Sequence, residues 1–220
     1  MIFAILPVKS PQNAKQRLEG YLPRAHREAL ARMMYEQTIA SISRARGIDR
    51  VLVATSDRQI AGHARALGAL LIEESAQVSH SASADAACLR AIELGATTAL
   101  LVPIDVPLAV AEDFERLAAA AGTGANPGLG IVPSADGTGT NALVRTPPDV
   151  IPSRFGPGSF RIHLNLADER GVPAEVLHLP GIMFDIDTPE DVAELLARAP
   201  DNRVASFLRS CGQLPSCTWK

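Results

Sequence analysis

Three aspartates near the ends of predicted strands are the residues best suited to hold a metal ion. Asp105 directly follows the apolar run TALLVPI (98–104), and Asp185 and Asp187 lie in the DID segment (185–187) at the end of the late apolar run IMFDI (182–186). A carboxylate at an apolar strand end is costly unless it is paired. Mg²⁺ binds one or two such carboxylates together with phosphate and water oxygens. The three residues therefore predict a magnesium site, although Asp105 by itself also fits a turn or a helix cap.

Cationic side chains follow the first predicted strand. The loop PVKSPQNAKQRL (7–18) carries Lys9, Lys15 and Arg17 among small and polar residues that leave backbone amides free. Amides and cations together can neutralise a triphosphate. The loop has neither the GxGxxG nor the P-loop pattern. It fits a nucleotide-phosphate site and, equally, a solvated basic turn.

Two glycine-rich loops could bind a second anion. DGTGTN (136–141) offers hydroxyl groups and unhindered amides, and FGPGS (155–159) opens a predicted helix. The positive end of that helix favours an anion at Gly158 and Ser159. The alternatives are a plain turn for the first loop and a simple helix cap for Ser159.

Strands and helices alternate along the chain and would position these residues. Strands are predicted at 2–8, 51–56, 69–74, 98–104, 129–134, 175–179 and 182–186, with a short apolar segment at 142–144, and helices at 24–45, 58–67, 82–94, 111–121, from FGPGS to about 170, and 188–198. Asp57 and Thr188 are predicted N-caps. The alternation predicts a three-layer α/β/α fold with a mostly parallel, Rossmann-like sheet. Ligands of such sheets bind at the carboxyl ends of the strands, so the candidate residues should share one edge.

Composition narrows the class of protein further. The net charge of −3 and the lack of a Lys/Arg run argue against a nucleic-acid partner, and no stretch approaches the roughly 20 apolar residues of a membrane span. Cys88, Cys211 and Cys217 lack metal-type spacing, as expected for reduced thiols in the cytoplasm. We expect one domain over residues 1–198, followed by a C-terminal tail (199–220).

The ordered motifs resemble those of a known family. PVK…AKQRL, VPIDVPL, DGTGTNAL, FGPGSF and FDIDTPEDV occur in this order between residue 2 and about residue 198. Together they are similar to the CofC/FbiD family, the 2-phospho-L-lactate guanylyltransferases and relatives of coenzyme F-420 biosynthesis. DGTGTNAL with FGPGSF is the specific part, whereas the DxDTPED ending is shared more widely among nucleotidyltransferases.

The resemblance implies a fold, a reaction and a set of site residues. It implies the nucleotidyltransferase fold shared with molybdopterin-guanine and sugar-nucleotide transferases. It implies transfer of GMP from GTP to 2-phospho-L-lactate, phosphoenolpyruvate or 3-phospho-D-glycerate, with pyrophosphate released, and a product handed to a deazaflavin-transferring enzyme. A homodimer is compatible with it. The implied roles are catalysis (Lys15, Asp105), GTP binding (Pro7, Lys9, Lys15, Arg17, Thr55, Asp85), acceptor binding (Thr140, Gly156, Gly158, Ser159) and Mg²⁺ binding (Asp105, Asp187, Asp185).

One departure from the family concerns the nucleotide base. SADAAC (83–88) stands where members often carry a GLNAAL-like segment, so Asp85 replaces an asparagine. A carboxylate there could still accept hydrogen bonds from the guanine N1 and N2 groups.

Other classes of protein make different demands on the sequence. A nicotinamide- or flavin-dependent oxidoreductase predicts GxGxxG after the first strand, and a molybdenum-cofactor nucleotidyltransferase predicts an LAGGxSxR-like first loop; neither motif is present. A sugar-phosphate nucleotidyltransferase remains a related alternative. A non-catalytic nucleotide-binding regulatory domain would not need Lys15 together with two acidic strand ends.

Overall fold

The computed structural model describes residues 1–74, 79–121 and 127–211. Its strands are β1 (Ile2–Val8), β2 (Arg50–Thr55), β3 (Leu70–Glu73), β4 (Thr98–Leu101), β5 (Gly128–Pro133), β6 (Thr140–Thr146) and β7 (Ala174–Val176). Its α-helices are α1 (Arg24–Ile42), α2 (Arg58–Ala66), α3 (His80–Glu93), α4 (Ala111–Ala119), α5 (Ser159–Glu169), α6 (Pro180–Met183), α7 (Pro189–Arg198) and α8 (Arg203–Ser210). Short 3-10 helices cover Pro11–Asn13 and Gln16–Leu18.

The described strands form one sheet in the order β3-β2-β1-β4-β6-β5-β7. The sheet is mostly parallel, but β6 pairs antiparallel to both β4 and β5. This confirms the predicted α/β fold with a mostly parallel sheet. The antiparallel strand matters for the site, because its first residue, Thr140, lies at the same edge as the carboxyl ends of β1 and β4.

The central strand β1 explains why the sequence begins with an unbroken apolar run. Ala4, Leu6 and Val8 pack into the core on one face of the sheet with α1, α2 and α4. Phe3 and Ile5 pack into the core on the other face with α3 and α5. Successive side chains of a strand point to opposite faces, so a strand covered on both sides must be apolar at every position.

Helix starts follow the predicted capping chemistry. The side chain of Asp57 accepts hydrogen bonds from the amides of Gln59 and Ile60 and begins α2. Thr188 accepts from the amide of Asp191, with Pro189 as the first residue of α7. Each cap satisfies backbone donors that have no partner within the helix.

The late segment 182–186 is not the strand that its sequence predicts. Residues 180–183 form the short helix α6, and the chain then extends through Phe184 to Ile186 without joining the sheet. Burial alternates along it, with Ile182, Phe184 and Ile186 buried, which imitates a strand in the sequence. Pro180 begins the helical turn. Gly181 packs closely against the chain after β4, because a Cβ on Gly181 would lie only 2.9 Å from the carbonyl oxygen of Leu108. The neighbouring strand prediction at 175–179 is shortened to β7.

Part of the segment predicted as a tail belongs to the folded core. Val204, Ala205 and Leu208 of α8 are buried in a third apolar cluster with residues of α1 and α7. Asn202 caps α8 through the amide of Val204. Cys217 and the rest of 212–220 lie outside the described residues. Among the described helices, none is both long and apolar enough to cross a membrane.

Candidate active site

A cavity of about 960 Å³ opens where β1 and β4 end and β6 begins. Five segments that are distant in sequence form most of its wall: the loop after β1, the residues after β4, the turn before β6, the loop before α5, and the chain between α6 and α7. All of them are held by strand or helix ends on one edge of the sheet. Candidate residues from each of these segments therefore share one edge of the sheet.

Three carboxylates meet in this cavity. One oxygen each from Asp105, Asp185 and Asp187 can be chosen so that all three atoms lie within 4.8 Å of one another. The backbone joins the two segments directly, because the amide of Ile186 donates to the carbonyl oxygen of Asp105 at 3.1 Å. Asp191 then fixes the approach to α7 by accepting from the amide of Asp187 at 2.9 Å. Asp105 is therefore neither a helix cap nor an isolated turn residue.

The ammonium group of Lys15 lies between two of these carboxylates. Its Nζ is 2.7 Å from Asp105 Oδ2 and 3.0 Å from Asp187 Oδ1, and the side chain is only 8% exposed. Burial alone would lower the pKa of Lys15, but the two carboxylates outweigh it and hold that pKa above its usual value. Burial would likewise raise the pKa of Asp105, whereas the Lys15 charge holds it below the usual range. A cation is thus stabilised at this point.

The backbone of Lys15 is left-handed, with φ 52°. Among the described non-glycine residues this is the only positive φ, and such a conformation is uncommon for a side chain of this type. It directs Lys15 inward between the two 3-10 helices of the first loop. Strain of this kind persists only where surrounding contacts determine it, and here the two ion pairs do so.

Asp185 has a different environment from the other two carboxylates. Burial, followed by the charge of Asp105, raises the pKa of Asp185 to about 6, while a hydrogen bond from Asn141 opposes the rise. Asn141 Nδ2 donates to Asp185 Oδ1 at 3.1 Å and to the carbonyl oxygens of Ile182 and Met183. Asn141 therefore ties β6 to the acidic segment.

The remaining residues of the first loop are more exposed. Lys9 and Pro7 contribute to the cavity wall, and Lys9 is exposed to solvent. Arg17 Nη1 is 3.6 Å from Asp187 Oδ2, and the Arg17 side chain is 72% exposed. Such a contact is weak in water, so both cations are free to turn toward a ligand.

The predicted acceptor residues form another part of the wall. Thr140, Gly156 and Ser159 line the cavity, and Ser159 is the first residue of α5 rather than its cap. Gly158 precedes it with φ 71° but is not among the residues that line the cavity. The two glycine-rich loops are joined because the amide of Phe160 donates to the carbonyl oxygen of Thr138.

Two residues predicted to bind GTP lie elsewhere. Thr55 is buried at the end of β2, where its hydroxyl accepts from the amide of Asp57. Asp85 Oδ1 is 3.0 Å from Arg145 Nη1, and both Asp85 oxygens accept from the amide of Ser153. The structure places neither residue on the described cavity wall. Asp85 instead neutralises a guanidinium that is 1% exposed.

Three further residues of the cavity region escaped the sequence analysis. Asn141 stands within the DGTGTN motif, which is the only sequence signal for it. His80 begins α3, lines the cavity and packs edge-on against Phe155. His163 is completely buried and contacts Thr140. A lone histidine in a helix pattern carries no sequence signal for such a contact.

The fold is the one seen in nucleotidyltransferases of known structure. The backbone matches a protein of Desulfovibrio desulfuricans assigned as a nucleotide-diphospho-sugar transferase, with a TM-score of 0.72 over 97% of this chain and 96% of that chain, at 16% identity. The chain belongs to the family described as guanylyl transferase CofC like, which matches residues 2–215.

Curated relatives are similar over nearly the whole chain. A phosphoenolpyruvate guanylyltransferase of Rubrobacter xylanophilus is 38% identical, covering 89% of this chain and 94% of the relative. A 3-phospho-D-glycerate guanylyltransferase of Colwellia psychrerythraea is 33% identical, covering 88% and 90%. The chain is therefore an enzyme of the guanylyltransferase class.

Proposed function

We propose that this enzyme transfers GMP from GTP to the phosphate of a small phosphorylated carboxylic acid and releases pyrophosphate. The observation that carries the proposal is the single cavity lined both by Lys15 with three aspartates and by the polar residues of the two glycine-rich loops. One side suits a metal-bound triphosphate, and the other suits a second anion. The candidate acids are those named for relatives: phosphoenolpyruvate, 3-phospho-D-glycerate and 2-phospho-L-lactate.

The acidic cluster fits Mg²⁺. Its donors are carboxylate oxygens, which are the ligands that hard divalent cations prefer. The position of the Lys15 ammonium between Asp105 and Asp187 supports a cation at this point. Asp105 and Asp187 would hold the ion, with Asp185 as a further ligand. When bound, Mg²⁺ supplies neutralisation of the triphosphate charge.

The cations of the first loop would bind the triphosphate. Lys15 lies deepest, beside the carboxylates, while Lys9 and Arg17 lie nearer the solvent with unrestrained side chains. Phosphate oxygens accept strong hydrogen bonds from ammonium and guanidinium groups. Lys15 would thus stabilise the charge that develops as pyrophosphate leaves.

The reaction needs little proton transfer by the protein. An oxygen of the acceptor phosphate attacks the α-phosphorus of GTP, and the bond from that phosphorus to the pyrophosphate oxygen breaks. The acceptor phosphate is already anionic at neutral pH, so it requires no general base. The task of the site is to hold two polyanions in line and to offset their repulsion.

The part of the cavity wall formed by the two glycine-rich loops would bind the acceptor acid. Thr140 and Ser159 offer hydroxyl groups, and Gly156 offers an unobstructed backbone next to the positive end of α5. The positive N-terminal end of α5, a helix of 11 residues, would attract this anion and so offset its repulsion by the triphosphate. Gly158 completes the turn and sets the direction of α5.

An assay of pyrophosphate release tests the proposal directly. GTP, ATP and CTP are each incubated with each of the three acids, with and without EDTA. We expect turnover with GTP and at least one acid, loss of turnover in EDTA, and recovery on addition of Mg²⁺. Mass spectrometry should identify a diphosphate diester of guanosine and the acid. Turnover with CTP or ATP in preference to GTP, or pyrophosphate release independent of any acid, would contradict the proposal.

The same proposal gives the enzyme a place in metabolism. Its product would be an activated acid whose diphosphate bond is broken by an enzyme that transfers the acid to a deazaflavin, in the synthesis of coenzyme F-420. We place this reaction in the cytoplasm, where GTP is available. Accumulation of a deazaflavin that lacks the acid, in cells without this enzyme, is the expected result.

A further inference from the structure

His163 joins three parts of the cavity wall through one buried ring. It lies on α5 and is completely inaccessible to solvent. The backbone amide of Arg154, the residue directly before FGPGS, lies 2.9 Å from His163 Nε2. Thr140 Oγ1, at the start of β6, lies 3.0 Å from His163 Nδ1. Both ring nitrogens therefore have a single, identified partner.

The two partners fix which nitrogen carries the proton. A backbone N–H can only donate, so Nε2 must accept from Arg154 and carries no proton. In a neutral ring the proton is then on Nδ1. Burial, followed by the charge of Arg145, lowers the pKa of His163 to about 4, so the ring is neutral at physiological pH. His163 therefore donates from Nδ1 to the Thr140 hydroxyl oxygen.

This donation determines the direction of the Thr140 hydroxyl proton. Because Thr140 Oγ1 accepts from the ring, its own O–H must point away from His163. Thr140 is part of the cavity wall, and the residue is 8% exposed. Phe155 packs edge-on against the His163 ring, with centroids 5.5 Å apart, and limits rotation of the ring.

We propose that His163 is a positioning residue that makes the Thr140 hydroxyl a hydrogen-bond donor to the acceptor acid. The inference rests on the proposed function, because it takes the anion beside Thr140 to be that acid. His163 does not touch the substrate. The His163 ring donates to the oxygen of the Thr140 hydroxyl. The hydroxyl proton therefore points away from the ring and can be donated to a carboxylate or phosphate oxygen of the acid.

Two substitutions of His163 separate the two hydrogen bonds. In His163→Asn the amide nitrogen stands near the place of Nδ1 and keeps the donor to Thr140, but the link to Arg154 is lost. In His163→Gln the amide oxygen stands near the place of Nε2 and keeps the link to Arg154, but the donor to Thr140 is lost. We expect His163→Gln to raise the KM for phosphoenolpyruvate by about tenfold, the typical effect of one hydrogen bond to a charged group. The KM for GTP should stay unchanged, and His163→Asn should stay within about threefold of the wild type.

A double-mutant cycle with Thr140 tests whether His163 acts through the hydroxyl. Thr140→Val removes the hydroxyl while keeping the shape, and Thr140→Ser is the matched control that retains it. We expect Thr140→Val to raise the KM for the acid, Thr140→Ser to preserve it, and His163→Gln to add nothing in the Thr140→Val background. An equal effect of His163→Gln in both backgrounds, or equal effects of the Asn and Gln variants, would overturn the inference.

A spectroscopic measurement tests the tautomer without any substrate. Long-range ¹H–¹⁵N spectra of the histidine rings, with the His163 signals assigned by their loss in His163→Gln, should show the Nδ1–H tautomer between pH 6 and pH 8. The Nε2–H tautomer would overturn the inference even if the enzyme transfers GMP as proposed. If the tautomer is as expected but Thr140→Val leaves acid binding unchanged, the assignment of the acid to Thr140 fails, and the inference fails with it.

Discussion

Lys15 contacts carboxylates that stand 90 and 172 residues away in the chain. Its ammonium group contacts both segments that supply the carboxylates, the one with Asp105 and the one with Asp187. Its ammonium group offsets repulsion between Asp105 and Asp187 where a divalent ion would otherwise do so. At the scale of single residues, Lys15 and the proposed Mg²⁺ would therefore compete for the same carboxylate oxygens.

Replacing Asp105 by asparagine tests its place in the mechanism. The change keeps the shape but removes a charge, so we expect turnover to fall by at least about 100-fold, since even residues that only support metal ligands matter by 10–100-fold. Circular dichroism and the melting temperature should show that the variant is folded. A folded Asp105→Asn enzyme with full activity in Mg²⁺ would remove Asp105 from the proposed site.

Replacing Lys15 by methionine should separate metal binding from catalysis. Without the competing ammonium, we expect Mn²⁺ to bind the nucleotide-free protein about tenfold more tightly, the scale of one charge-assisted hydrogen bond. Turnover should nevertheless fall, because the triphosphate loses a cation. Electron paramagnetic resonance of free Mn²⁺ measures the affinity.

Lys9→Met is the matched control for that experiment. Lys9 is exposed on the same loop, so its loss should weaken GTP binding without changing the affinity for Mn²⁺. Unchanged Mn²⁺ binding in Lys15→Met would mean that Lys15 and the metal do not share the carboxylates.

The lowered pKa of His163 also predicts how the stability of the protein depends on pH. Burial lowers its pKa from 6.5 to about 4, so between these values the unfolded chain binds more protons than the folded one. Stability contributed by the neutral ring is complete above pH 6.5 and is lost as the pH falls toward 4, with an upper limit on the order of 3 kcal/mol. Urea unfolding at pH 7.0, 5.5 and 4.5 should show a steeper loss for the wild type than for His163→Gln. Parallel curves would contradict a depressed pKa.

At the scale of elements, a partly buried ion pair links β6 to α3. Arg145 is almost fully buried, and it donates to Asp85, to Ser153 and to the carbonyl oxygens of Pro148 and Ile151. These contacts fix the loop that leads toward FGPGS. The polar network thus serves the acceptor wall indirectly, by holding the chain between β6 and α5 in place.

Replacing Asp85 by alanine should reveal this structural role. The variant leaves a buried guanidinium without its counter-charge, so we expect the free energy of unfolding to fall by about 3–5 kcal/mol. Asp85→Asn, which retains a hydrogen-bond acceptor, should lose less. At a temperature where both variants are folded, the KM for GTP should match the wild type. A selective loss of GTP binding in Asp85→Ala would instead support contact with guanine.

At the scale of the whole molecule, the active-site edge is supported by a third apolar cluster. Leu18 and Leu22 from the first loop, Phe184 and Ile186 from the acidic segment, and Leu208 from α8 belong to it. The cluster therefore ties the loop that carries Lys15 to the segment that carries Asp185 and Asp187. Helix α8 packs on this cluster, and none of its residues lines the cavity.

Replacing Leu208 by alanine tests whether α8 is part of the domain. Leu208 is 2% exposed, so we expect a loss of about 2–5 kcal/mol, typical of buried leucine truncations. Ser206→Ala, on the exposed face of the same helix, is the control and should change stability by less than about 0.5 kcal/mol. Chemical unfolding measures both. A neutral Leu208→Ala would return α8 to the status of an appended tail.

The sequence by itself determined the class of fold and the edge that carries the site. The apolar run at 2–8 dictates a strand covered on both faces, and Asp57, Thr188 and Pro189 dictate helix starts, because these signals are local. Since parallel strands end at a common edge, the positions of Lys15 after β1 and Asp105 after β4 sufficed to predict that they lie together. Asp187 reaches the same edge although the segment before it is not a strand. The motif order sufficed to indicate the family.

Only the tertiary structure decided the partners of individual side chains. The side chains at 182–186 are alternately buried and partly exposed, which is the pattern of a strand. The pattern shows which side chains face the core, but it does not show whether a neighbouring strand lies beside the segment. Asp85 pairs with Arg145 and His163 with Thr140, across 60 and 23 residues, and no spacing rule predicts such contacts. Hydrogen bonds are short and directional, so whether a side chain serves the ligand or the scaffold depends on positions that only the packed chain defines.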